Sequence, residues 1–229
     1  MTALTATLAG LLGLLGLLGL LVGAMVNRAA GRFPWTSAGI RDVLGRGAVA
    51  VRLPLLELGT AALFLLVALR FGASWELPAF LFLAGVGVLL AVIDLQHRLL
   101  PNRIVLPSIA AAAVLLLIAA LPGQEWPTFL RACAGGAVLF AVFLVMALIS
   151  PRGIGWGDVK LAALIGLALG WLGWGAVVVG AAAGFVVQAV VALFLLAGRR
   201  VGLRGELPFG PAMLVGALLA IGWSDALVS

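Results

Sequence analysis

The sequence predicts an all-α, polytopic integral membrane protein of about eight transmembrane helices with its N-terminus outside, forming a single membrane-embedded domain over 1–229. Three observations predict it. The chain is 65% apolar and only 10% charged, against roughly half apolar and a quarter charged in soluble domains; a soluble fold cannot hide that much apolar surface, whereas a bilayer can. The apolar residues come in repeated long runs, which must be helical because a helix pairs its backbone polar groups within one segment. The basic residues fall on alternate loops between those runs.

The runs lie at 3–26, 54–71, 77–95, 103–121, 128–149, 158–171, 174–197 and 208–224. The first lacks a preceding basic region and is too long for a signal-peptide core, so it reads as an anchor helix over 1–26. Its GLLGLLGLLGLL repeat sets Gly10, Gly13, Gly16 and Gly19 three apart, either a small-residue stripe for close helix contact or low-complexity drift. A short basic loop over 27–53 separates it from a helical core over 54–224. The sixth run is short for a span, and the GWLGWG that follows is a tight turn, so it reads either as a span or as half of a broken helix.

Charge sets the orientation. With the N-terminus outside, the inner loops collect Arg28, Arg32, Arg41, Arg46, Arg52, Arg98, Arg103, Arg152, Lys160, Arg199, Arg200 and Arg204, leaving only Arg70 and Arg131 outside. Twelve of the fourteen basic residues inside is the positive-inside pattern. The net charge of +6 therefore reports cytoplasmic loops facing anionic lipid headgroups, not nucleic acid. The lone cysteine, Cys133, excludes an intrachain disulfide and a cysteine-based zinc site, and reads as a small packing residue.

Acids at a span edge need a reason. Three have apolar neighbours: Glu57, Asp94 and Asp158. Any one alone reads as a structural partner for a nearby arginine; for Glu57 this is Arg52 or Arg98. Under the predicted topology Asp94 closes the third span and Asp158 opens the sixth, both at the inner face. Two carboxyls brought close do not both ionise cheaply, so one keeps a proton while the other stays charged. Such a pair can activate water against a carbonyl and protonate a leaving amine, with no cofactor and no metal. Gly153, Gly155 and Gly157 permit close backbone approach before Asp158, and Ala162, Gly166 and Gly170 give the sixth helix a small-residue face for packing, with the third span as its candidate partner. Lys160, two residues beyond Asp158, does not share its helix face; it is left to meet lipid phosphate, the field of the acids, or another acid. Pro101 and Asn102 turn the chain into the fourth span. His97, the only histidine, reads as a solvated loop residue.

These residues resemble the type IV prepilin peptidases, intramembrane aspartic peptidases of the GxGD class. GIGWGDVKLAALIG resembles the family's second aspartate motif, and VIDLQHRLLPNRIVLP its first, an aspartate followed by Leu-Pro-Asn. RLPLLELGTAALF, with Pro54 and Glu57, resembles the start of its second span, and GELPFGPAMLVGALLA, with Pro208, Phe209, Gly210 and Pro211, its final span. The match runs in order over about residues 50–224.

The resemblance implies an endopeptidase that removes the basic leader from prepilin-like membrane precursors at the cytoplasmic face, with Asp94 and Asp158 as the catalytic pair. Gly155, Gly157, Lys160, Glu57, Pro101 and Asn102 are then motif and supporting residues. Gly153 and the Pro208–Pro211 segment are either substrate-side or, for the latter, plain helix entry. Bifunctional members carry paired-cysteine zinc motifs, associated with N-methylation, in the loop after the first span; the cysteine-free 27–53 marks a short form. Two other classes compete: a proton-coupled transporter using the same acids, whose site belongs nearer the midplane, and a catalytically silent assembly protein for pili or secretion.

Overall fold

The computed structural model describes residues 2–35, 49–51, 54–150, 153–198 and 207–228. Their regular structure is helical throughout: α1 Thr2–Gly31, α2 Leu55–Phe71, α3 Leu77–His97, α4 Asn102–Ala120, α5 Trp126–Ile149, α6 Trp156–Leu172, α7 Trp174–Ala197 and α8 Gly210–Val228. Each of the eight runs read from the sequence is a helix. The principal difference is at α1, which continues through Asn27 to Gly31 and so takes the first residues assigned to the basic loop; most of that loop, with Arg41, Arg46 and Arg52, lies outside the described residues. Five helices, α1, α3, α4, α5 and α7, are long and apolar enough to cross a membrane by length and composition. Leucine, valine, isoleucine and phenylalanine side chains stand outward along them, Ile149 79% and Phe194 75% exposed, as a lipid-facing surface requires.

The chain divides into two compact units, Met1–Ile93 and Asp94–Ser229. In the first, α1 pairs chiefly with α2. A Cβ at Gly19 would come 2.6 Å from Ala61 Cα, and one at Gly23 2.7 Å from Glu57 Cα, while Gly10 and Gly13 meet nothing within 4 Å. The contact therefore uses Gly19 and Gly23, four apart, and not the three-residue repeat. At about 100° per residue, Gly10 lies on the opposite side of the helix from Gly19, whereas Gly23 is only about 40° away. The buried Asn27 fastens the end of α1: its side chain donates to Val51 O and Glu57 Oε1, each at 3.0 Å, and accepts from Val51 N at 2.9 Å. Apolar side chains of α1, α2 and α3, including Val22, Phe64 and Leu81, line a cavity of about 680 Å³ in this unit.

In the second unit α6 is central. It touches α4, α5, α7 and α8, and from Val159 to Trp171 nearly every residue is buried. That position explains a helix only 17 residues long: enclosed by protein, it need not match the bilayer. Its small-residue face is taken by α5, where the sequence had offered the third span as partner. A Cβ at Gly170 would meet Arg131 O at 2.7 Å, and one at Gly135 would meet Gly166 O at 2.6 Å. Gly135 and Gly136 thus complete, from α5, a seam that the sequence reading had found only on α6. Arg131 closes the far end, Nε donating to Gly170 O at 2.9 Å and an Nη to Trp171 O at 2.8 Å, so two carbonyls at the helix terminus gain a cationic donor. One residue, Gly173, joins α6 to α7; its φ of 141° is open to glycine and hardly to others. Cys133 is exposed on α5 and is not a packing residue: an apolar run does not tell a lipid-facing position from a buried one.

Candidate active site

The second unit holds both aspartates of the sequence motifs. Asp94 lies in the last turn of α3 and is 5% exposed. The helix ends one turn later, at His97: Arg98 N donates to Asp94 O at 2.8 Å, and Arg98 adopts a left-handed φ of 53°. Leu99, Leu100 and Pro101 then lead to α4, where Pro101 O accepts the first helical bonds, from Ile104 N and Val105 N. Pro101 suits this place because it donates nothing and its own φ is fixed.

Asp158 occupies the first turn of α6. Its Oδ2 accepts from Gly155 N at 3.0 Å, the usual reach of a carboxylate at the third helical position back to the residue that starts the helix. Gly155 is extended there, φ −77° and ψ 152°. The opposite carboxylate is held in the same manner by another glycine: Gly210 N, at the start of α8, donates to Asp94 Oδ2 at 3.1 Å, and this bond is buried. Each carboxylate thus faces a helix N-terminus, where the backbone dipoles favour negative charge. Both bonds border the α3–α4 loop, whose Leu100 stands against Gly157 on one side and Gly210 on the other.

Leu100 fills the space beside them. A Cβ at Gly157 would come 2.7 Å from Leu100 Cβ, and one at Gly210 3.5 Å from Leu100 Cδ1 and 2.7 Å from Asp94 Oδ2. Gly157 and Gly210 are therefore needed for room, since the α3–α4 loop packs on both. Lys160 also finds its partner on this loop: Nζ donates to Asn102 Oδ1 at 2.6 Å. This is the outcome for a lysine that helix geometry removes from Asp158, and it was not among the partners expected for it. The bond joins a polar residue of one quoted aspartate motif to a polar residue of the other, tying the N-terminus of α4 to that of α6.

The remaining candidates fall elsewhere. Gly153 makes a local turn, its N donating to Ser150 O at 2.9 Å. Pro208 and Pro211 are half-buried around Phe209 and Gly210. Phe209 is buried and stacks with Phe143 and tilts against Phe185, at centroid distances of 6.0 and 5.1 Å. Glu57 belongs to the first unit; among the described residues its hydrogen bond goes to Asn27 and not to an arginine, and its Oε2 is buried without a partner. Arg52 is outside the described residues. His97 is at the exposed end of α3. Among the described residues no three His, Cys, Asp or Glu side chains gather as metal ligands. Sequence reasoning missed Leu100, Asn27 and the bond from Gly210; only for Gly210 was there a signal, a glycine between prolines at a helix start.

Comparison with known proteins bears on this arrangement. The model of the type IV leader peptidase family matches residues 80–198. A Bacillus subtilis protein named prepilin leader peptidase/N-methyltransferase is 38% identical over 184 residues, 77% of this chain and 68% of its own. Proteins of the same name from Pseudomonas putida and Pseudomonas aeruginosa are 32% and 29% identical, over 77% and 84% of this chain and 60% and 68% of theirs. The chain thus spans roughly three fifths to two thirds of these relatives' length. No solved structure matches it.

Proposed function

Since the chain belongs to the type IV leader peptidase family, we propose that it is an intramembrane aspartic endopeptidase whose water is activated between Asp94 and Asp158. One observation carries the reading: two aspartates from separate helices, each oriented by a glycine amide, stand beside glycines that Leu100 packs against, Gly157 and Gly210. The charged carboxylate takes a proton from water as the oxygen attacks the peptide carbonyl. The protonated one donates to the carbonyl oxygen as it gains charge. Collapse of the tetrahedral carbon breaks the C–N bond, and the amine leaves with a proton from the pair. The pair titrates as a unit, so the two roles are not divided between the residues.

The substrates are prepilin-like membrane precursors, by the names of the relatives, with the basic leader on the cytoplasmic side, the face that the positive-inside count favours for both aspartates. The basic loops meet anionic headgroups there. Methyl transfer is not part of the proposal, because the chain's single cysteine cannot supply the paired-cysteine motifs associated with it.

Asp94→Asn and Asp158→Asn test the mechanism. Each is expected to lower cleavage of a co-expressed prepilin-like precursor by at least about 100-fold, with the variant still folded in the membrane. Mass spectrometry of the precursor reads the result, and normal cleavage by either variant would refute the pair.

A further inference from the structure

We infer that Gly210 is a positioning residue for Asp94, and that the Pro208–Pro211 segment is the device that aims it. The inference rests on the proposed function and adds to it a part from the last helix. Asp94 sits in the last turn of α3, where the helix's N–H groups bond to carbonyls one turn back, so a donor that fixes its rotamer comes from elsewhere. The amide of Gly210 supplies it at 3.1 Å in a buried setting. That amide cannot swing freely. Pro208 and Pro211 fix φ on either side, Pro211 brings no competing N–H, and the Phe209 ring is clasped by Phe143 of α5 and Phe185 of α7. Met213 N closes the first turn onto Phe209 O at 3.1 Å, and the Gly210 N–H, in that first turn with no carbonyl one turn back, is left for the carboxylate.

The residue must also be glycine. A Cβ there would stand 2.7 Å from Asp94 Oδ2 and 3.3 Å from Asp94 Cγ, so any side chain displaces the carboxylate even though the N–H remains. Gly210 touches neither water nor peptide in this scheme; it acts through Asp94. With one Oδ2 committed to a glycine amide on each aspartate, the two Oδ1 atoms are left for water and substrate.

The test compares Gly210→Ala with Gly222→Ala, a glycine of the same helix whose Cβ would meet nothing within 4 Å. Purified enzyme and a prepilin-like peptide precursor give kcat, KM and thermal stability for each. Gly210→Ala is expected to lose about 100-fold in kcat, the scale of an ångström of misplacement, with KM changed less than about 3-fold and stability held near that of the parent. Gly222→Ala should stay within about 2-fold of the parent in kcat. A Gly210→Ala enzyme with parental kcat overturns the inference, as does a loss confined to stability or KM. Should Gly210→Ala fail to fold, Phe209→Leu decides: it loosens the clasp without a clash, and unchanged kcat there overturns the inference, while a drop of about 10-fold at constant KM supports it. Failure of the function itself has a different signature, namely that Asp94→Asn cleaves normally.

Discussion

At the scale of single residues, the two aspartates were legible because a carboxylate in an apolar run is costly and stands out. Their supporting groups were less so. The Lys160–Asn102 bond joins residues 58 positions apart, and nothing local in either sequence says which oxygen an ammonium will choose; helix geometry said only that it would not be Asp158. A charged donor makes this a stronger bond than a neutral pair, about 1.5–3 kcal/mol before its exposure is discounted. Lys160→Ala and Asn102→Ala are each expected to lower kcat by about 3- to 10-fold, less than loss of either aspartate. The double variant should lose no more than the worse single one, because both remove the same link. Additive losses in kcat would mean the two side chains act separately. Glu57 shows the opposite error: an acid assigned to an arginine takes an amide from Asn27, which sits in a stretch the hydropathy pattern had already released to a loop.

Among elements, existence and order were readable from hydropathy, and partners were not. Eight apolar runs became eight helices, but the face of α6 built from Gly166 and Gly170 could have met any neighbour with small residues, and it met Gly135, Gly136 and Ala132 of α5. Two facing strips of glycine must be read together to be recognised as a seam. Gly166→Leu should therefore be among the most damaging changes available outside the aspartates, since backbone lies directly against it. Overpacking of this kind costs about 1–3 kcal/mol or more, visible as a lowered unfolding temperature in detergent. Arg131→Ala, which strips two bonds from the carboxyl end of α6, should also lower that temperature, by an amount matching about 1–3 kcal/mol, while Arg131→Lys recovers part of it. An unchanged melting profile for Arg131→Ala would show the cap to be idle. Arg131 also explains one of the two basic residues that the charge count leaves outside: it is held by carbonyls at a helix end.

For the molecule as a whole, composition alone decided between bilayer and water, and the charge pattern proposed which way the chain enters. That orientation has its own check. In a Cys133→Ala background, a cysteine at Gln124, between α4 and α5, should react with an impermeant maleimide from outside intact cells. One at Leu99, between α3 and α4, should react only in inverted vesicles; the reverse pattern would turn the chain over. The shortness of α6 then has a consequence for the solvent. Leu169 of α6 abuts Gly180 of α7, and the two helices are joined at Gly173, so Asp158 stands about level with Val191. From there α7 continues six residues to Ala197, about 9 Å. By that count α7 reaches past the aspartate. The hydrolysis proposed between Asp94 and Asp158 needs water brought below the end of α7, and a neighbour that ends early leaves the room for it.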